Sequence, residues 1–251
     1  MVEKVKTGIQ GLDKALEGGI PKRNIVLVSG GAGTGKSTLS MQYLVNGAKL
    51  FGDRGLYIST EQRREELIKA GMNFGWNIEE LEQKNLLKIK FFDVVGGDNW
   101  LQKIYDLYTA FQPKRIVVDS LTTFTDAMLV AGMGEDTAFS MVQVAETVSP
   151  VPRTEKIIAK TTLYHLMNKL RLFDSTVILT SELDEGTQSL SADGVSEFIA
   201  DGVIILHYLG VGAVDFRSLL VRKMRYTNHN KQTLLYDISQ KGIEIKEEQN
   251  V

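Results

Sequence analysis

"NIVLVSGGAGTGKST", residues 24–38, is the stretch whose reading decides the fold. Its first half carries an unbroken apolar run from Ile25 to Val28, without the alternation of a strand that has one wet face. Such a run reads as a strand buried on both sides. Its second half matches G-x-x-x-x-G-K-[ST], with Gly30, Gly35, Lys36 and Ser37 in the fixed places. The chemistry requires each residue type. Backbone N–H groups across Gly31, Gly33, Thr34, Gly35, Lys36, Ser37 and Thr38 turn inward around phosphate oxygens. Lys36 brings positive charge to the β- and γ-phosphates, and the Ser37 hydroxyl ligates magnesium. The helix that opens at Gly35 aims its positive end at the same phosphates. A plain glycine-rich turn is the competing reading, and the strand before it and the helix after it weigh against that.

Outward from this unit, strands and helices alternate. "GLYIST" (55–60), "LLKIKFFDV" (86–94), "RIVVDSLTTF" (115–124) and "STVILTSE" (175–182) read as strands. Between them, "EQRREELIKAGMNFG", "NWLQKIYDLYTAF" (99–111) and "TTLYHLMNKLRLFD" (161–174) have helical spacing. That rhythm predicts an α/β fold with a mostly parallel central sheet covered on both faces. After about residue 200 short connectors join apolar runs, which predicts C-terminal antiparallel strands extending the sheet. No linker or repeat divides the chain, so a single domain over 1–251 is expected. Residues 125–153 do not fit the alternation. So long an insertion is usually functional or mobile, with Pro150 and Pro152 expected to end any short helix within it.

Composition narrows the function classes. Net charge is −2 and there are no cysteines among 251 residues, which removes disulfides and thiolate metal sites. The balance lacks the basic footprint of a dedicated nucleic-acid binder. "MVEKVKTGIQGLD" has no signal-peptide core, and no run is apolar and long enough to cross a bilayer. A cytoplasmic protein is expected.

A phosphate loop needs acidic partners. Asp119 ends the apolar strand "RIVVD" and is the candidate to organise magnesium, against the alternative of a turn-capping acid. Glu61 follows the second strand on the edge where ligands collect in such sheets. It reads equally as a general base aligning water or as helix N-terminal charge shared with Glu65 and Glu66. "KMRYTNHNK" (223–231) is the most basic short stretch, almost two hundred residues later. Nucleic-acid binding, a strand cap, or service to a phosphate outside its own subunit are the readings open to it.

Taken together these blocks resemble the KaiC-like branch of the RecA-superfamily ATPases. The resemblance is carried by "TGIQGLDKALEGGIPKRNIVLVSGGAGTGKST", "FGW" (74–76), "IVVDSLT", "ILTSE", "FIADGVIIL" and "KMRYTNH", in the family's order. It implies the RecA-like fold, ATP and magnesium as cofactors, and a homo-oligomeric ring, expected as a hexamer, with ATP at subunit interfaces. It implies Glu61 as catalytic glutamate, and Lys223 and Arg225 acting on a neighbour's ATP, as an arginine finger does. Three departures stand out. Glu61-Gln62 replaces the paired glutamates of clock-type members, which puts the hydrolysis rate in question. Glu197-Phe198 stands where the clock protein's phosphorylated half has Ser-Thr, so autophosphorylation is not predicted. Tyr226 takes the place of the family's usual glycine. His229 is read as a turn or surface histidine rather than an interface group.

DNA binding, known among recombinase relatives, is the competing class. The loop "ELDEGTQSLSADGVSEF" (182–198) contains five acids and no Lys or Arg, which opposes neutralisation of a phosphate backbone. The expected function is a ring-forming, magnesium-dependent ATPase coupling its nucleotide state to a protein partner. A DNA-associated recombinase paralogue and an ATP-gated scaffold with little hydrolysis are the alternatives.

Overall fold

A computed structural model describes residues 2–93, 100–125, 152–183, 189–211 and 214–246. The chain opens with a two-stranded antiparallel ribbon, β1 (Lys4–Val5) with β2 (Ile20–Pro21), around the single turn α1 (Leu12–Ala15). The strand of the phosphate-loop unit is β3 (Ile25–Gly30), buried at every position as the apolar run predicts. Its side chains split by parity. Val26 and Val28 join one core, Ile25 and Leu27 the other, on opposite faces of the sheet.

Beyond the loop, α2 (Lys36–Phe51) buries Leu39, Met41, Tyr43, Leu44, Val45 and Ala48. It stops at Gly52, whose φ of 68° supplies the left-handed cap. Next come β4 (Gly55–Ser59), α3 (Arg64–Met72), α4 (Ile78–Gln83), β5 (Leu87–Phe91), α5 (Trp100–Phe111) and β6 (Arg115–Asp119). A long helix, α6 (Pro152–Arg171), precedes β7 (Thr176–Glu182) and the short α7 (Ser196–Ile199). The last strands are β8 (Gly202–Val211), β9 (Val214–Met224), β10 (Thr233–Ser239) and β11 (Gly242–Ile245).

One nine-stranded sheet collects β3 to β11 in the order β11-β10-β9-β8-β3-β7-β6-β4-β5. From β8 to β5 all pairings are parallel, and β8-β9-β10-β11 are antiparallel. The predicted mostly parallel sheet with an antiparallel C-terminal extension is therefore what forms, with β8 belonging to both parts. Helices α2, α3 and α4 cover one face, while α5 and α6 cover the other.

Two of the differences from the sequence reading have a visible cause. The strand expected over 115–124 ends at Asp119, and residues 121–125 turn helical. Ser120 causes the break, because its Oγ accepts the Thr123 N–H at 3.2 Å in the manner of an N-cap. Pro152 begins α6 instead of ending a helix. Proline suits a first helical position, where its missing N–H would have no intrahelical partner. The rest of the insertion, 126–151, lies outside the described residues, as do its acids Asp126, Glu135, Asp136 and Glu146. Among the described residues no helix is long and apolar enough to cross a membrane.

Candidate nucleotide site

The loop between β3 and α2 is shaped by what surrounds it. A Cβ at Gly30 would meet Thr34 Oγ1 at 2.6 Å and the Leu206 carbonyl at 2.7 Å, so only glycine passes there. Gly35 has φ 89°, and a Cβ would press on Ile238 Cδ1 at 2.7 Å. Thr34 closes the turn by donating to the Gly31 carbonyl at 2.9 Å. The Lys36 ammonium lies inside it, donating to the carbonyls of Gly30 (2.8 Å) and Gly31 (3.1 Å). The loop is braced from far along the chain. Tyr236 on β10 donates its hydroxyl to the Thr34 carbonyl, and Gln42 on α2 exchanges hydrogen bonds with Ile243 on β11 at 2.7 and 3.1 Å.

Beside the loop lies the end of β6. The ends of β4 and β6 are in register, Ser59 against Asp119, and are stitched by Thr60 N–H to the Asp119 carbonyl at 2.8 Å. Asp119 is buried, and both carboxylate oxygens are engaged: Tyr57 donates to Oδ2, and Thr180 donates to Oδ1 at 2.5 Å. Ser37 interacts with the same phenol. Burial first, and then the Asp119 charge, push the Tyr57 phenol well above the ordinary tyrosine range, so it stays a donor.

Glu61 lies next to this group. Its Oε1 accepts from Ser120 Oγ (2.5 Å) and Thr123 Oγ1 (3.0 Å), both just past Asp119. Helix α3 begins only at Arg64, with Glu65 and Glu66 as its first-turn acids. Glu61 is thus held at the end of β6 rather than in that first turn. Gln62 is exposed, with its N–H on Ser59 Oγ at 3.0 Å.

Magnesium is held by oxygen donors, usually one or two carboxylates with phosphates and several waters. Ser37 and Asp119 offer a hydroxyl and a fixed carboxylate. Among the described residues no group of three or more His, Asp or Glu forms a competing cage. This donor set fits magnesium bound together with a phosphate chain.

The basic stretch lies at the opposite end of the strands from the phosphate loop. Met224 pairs with Gly202, which pairs with Val26, whereas the phosphate loop starts after Gly30. From Val26 to Gly30 alone is about 13 Å along the strand. An irregularity in the β8–β9 register sets Lys223 opposite Val203. Lys223 donates to the carbonyls of Glu197 (3.1 Å), Phe198 (3.3 Å) and Ala200 (2.6 Å). Burial, and then the Arg225 charge, lower its ammonium below the ordinary lysine value. Arg225 reaches Asp201 at 3.1 Å, a buried carboxylate also held by Arg171 and by the Ile25 N–H. Tyr226 has φ 66°, a conformation that suits glycine and costs another residue about 1 kcal/mol. His229 bonds the neighbouring Asn230 carbonyl at 2.8 Å within the connector.

Two acids in the 182–198 loop are not the outward charges that the sequence suggested. Asp193 accepts from the N–H groups of Val195 (2.7 Å) and Ser196 (2.6 Å), and Glu197 is buried against Ser191 and the Leu190 N–H. Both carboxylates hold the loop's own turn. Asp184 and Glu185 lie outside the described residues. Tyr57, Thr180, Ser120, Thr123, Tyr236 and Asp201 were not found from sequence. The available signal was a hydroxyl or acid inside an apolar strand, which burial obliges to find a partner.

Comparison with known proteins agrees with this geometry. The family described as "ATPase: KaiC" matches residues 5–151 and 135–250. A UPF0273 protein of Pyrococcus furiosus is 32% identical over 243 residues, covering 97% of this chain and 94% of the relative. The circadian clock oscillator protein KaiC of a Nostoc species is 30% identical over 254 residues, but the match covers only 44% of that longer protein. A crystal structure of a KaiC-like protein from Pyrococcus horikoshii superposes with TM-score 0.80 at 31% identity, covering 98% of this chain and 100% of that one. With its RecA-like sheet, its phosphate loop and these matches along nearly its whole length, the chain belongs to the KaiC family of ATPases.

Proposed function

We propose that residues 1–251 form one ATPase domain that binds ATP with magnesium and hydrolyses it within a homo-oligomeric, hexameric ring. Lys36 and the loop amides from Gly31 to Thr38 bind the phosphates. Ser37 and Asp119 hold magnesium, which when bound neutralises charge on the phosphate chain. Glu61 aligns the attacking water and accepts its proton as the bond to the γ-phosphorus forms. The bond from that phosphorus to the bridging oxygen breaks, giving ADP and phosphate.

The observation that carries this reading is the juxtaposition of Glu61 with Asp119 through Ser120, on the sheet edge that bears the phosphate loop. Lys223 and Arg225 are assigned to the neighbouring subunit's ATP, supported by their position at the opposite end of the strands from their own loop. The ring would couple nucleotide state to a protein partner in the cytoplasm, a compartment that suits a chain without cysteine.

Mixing two inactive variants tests the shared site. Lys36→Ala and Arg225→Ala rings, combined and shown to co-assemble, contain some interfaces with an intact loop facing an intact arginine. Partial recovery of phosphate release is expected. Mixed rings without any recovery would overturn the assignment in trans.

A further inference from the structure

Tyr57 and Thr180 stand on the two strands that flank β6, and both reach the same carboxylate. Tyr57 pairs with Val117 in the β4–β6 register, and its phenol spans to Asp119 two positions further along. Thr180 follows Leu179, the partner of Val118, and meets the other oxygen at 2.5 Å. Tyr57 and Val117 share the core on the α2 face, so Asp119, two residues beyond Val117, faces the same way toward Ser37. All three groups are buried, Tyr57 and Thr180 completely. Hydrogen bonds to a charged acceptor are strong there, and they fix the plane of the carboxylate.

We infer that Tyr57 and Thr180 are positioning residues for the metal side of the site. By occupying one lone pair on each oxygen they orient Asp119 so that its remaining lone pairs would face the metal that it holds together with Ser37. This rests on reading Ser37 and Asp119 as the magnesium side of the site. Partners of this kind around a metal commonly alter its affinity by about 10- to 100-fold when removed.

The test uses the full chain, a fluorescent ATP analogue and a titration with magnesium chloride. Tyr57→Phe keeps the ring and deletes the donor, and Thr180→Val does the same at the other oxygen. Each variant is expected to raise the magnesium concentration for half-maximal enhancement of nucleotide binding about tenfold. Nucleotide binding in excess chelator should stay at the wild-type level, and Thr180→Ser should restore the wild-type titration. If the wild type shows no magnesium dependence, the metal reading itself fails, and this inference with it. If the wild type depends on magnesium but both variants titrate as it does, the inference alone is overturned. It is equally overturned if the variants weaken binding in chelator to the same degree, or if Tyr57→Phe cannot fold. In those cases the hydroxyl serves the core rather than the metal.

Discussion

Replacing Glu61 with glutamine removes the base while leaving its surroundings almost unchanged. The retained oxygen can still accept from Ser120 Oγ and Thr123 Oγ1, at 2.5 and 3.0 Å in the native site. The rest of the side chain is exposed, so no buried group is orphaned. Stability should therefore shift by no more than about 0.5 kcal/mol. Hydrolysis should fall by about 10²- to 10⁴-fold, the usual worth of a positioned acid–base group, which corresponds to a barrier rise of about 3 to 5 kcal/mol. ATP affinity should stay within about threefold, since the carboxylate is assigned to water rather than to the phosphate chain. Ser120→Ala provides an intermediate rung. It removes one of the two donors that aim the carboxylate, and the loss of one such bond, about 1 kcal/mol, should slow turnover about fivefold. Phosphate release at steady state, equilibrium binding of a fluorescent ATP analogue and thermal melting measure the three quantities separately. A Glu61→Gln protein that turns over at more than a third of the wild-type rate would refute the role. So would one that melts normally but no longer binds ATP, because Glu61 would then be a binding group.

Three further outcomes follow from the geometry. Gly35→Ala forces a side chain into φ 89° against Ile238; a loss of about 1 to 2 kcal/mol in urea unfolding is expected, together with weakened ATP binding. Asp201→Ala leaves Arg171, Arg225 and the Ile25 N–H without their shared carboxylate. Because both arginines can partly rehydrate, the cost should be about 2 kcal/mol, below that of breaking a fully buried pair, and chemical denaturation reads it. Burial raises the Tyr236 phenol to about 12, against about 10 in the unfolded chain. Its contribution is whole below pH 10 and is lost as pH rises toward 12. Tyr236→Phe should flatten that alkaline decline by one proton's share in a pH series of melting curves, with Tyr43 and Tyr57 keeping theirs.

Much of this was legible because it is local in sequence. The apolar run of β3, the spaced glycines and the opening of α2 occupy fifteen consecutive residues, so the phosphate loop could be read from one line. Asp119 could be read from the strand that it ends. Spacing alone left Glu61 between two readings, since its contact with Ser120 joins partners 59 residues apart that only parallel pairing of β4 and β6 brings together. Tyr57 and Thr180 were hidden for the same reason: each looks like an ordinary strand residue until neighbouring strands are aligned. Charge counting located Asp193 and Glu197 but not their contacts, because composition does not say whether an acid faces water or caps a turn. Lys223 and Arg225 converge on the junction between α7 and β8, although Arg225 lies just beyond the end of β9.

The bracing of the loop by β10 and β11 also bears on the order in which the protein becomes competent. Thr34 and Gly35 leave the ribosome some two hundred positions ahead of Tyr236, Ile238 and Ile243, which press them into shape. Contacts so distant in sequence are slow to form, and here they cannot form until synthesis has passed the last strand. A nascent chain thus carries the residues of the nucleotide loop long before it has the scaffold that holds them. Capture of ATP is then expected to await completion of the β10–β11 hairpin, and a chain cut short before residue 233 retains the motif without Tyr236, Ile238 and Ile243 to brace it.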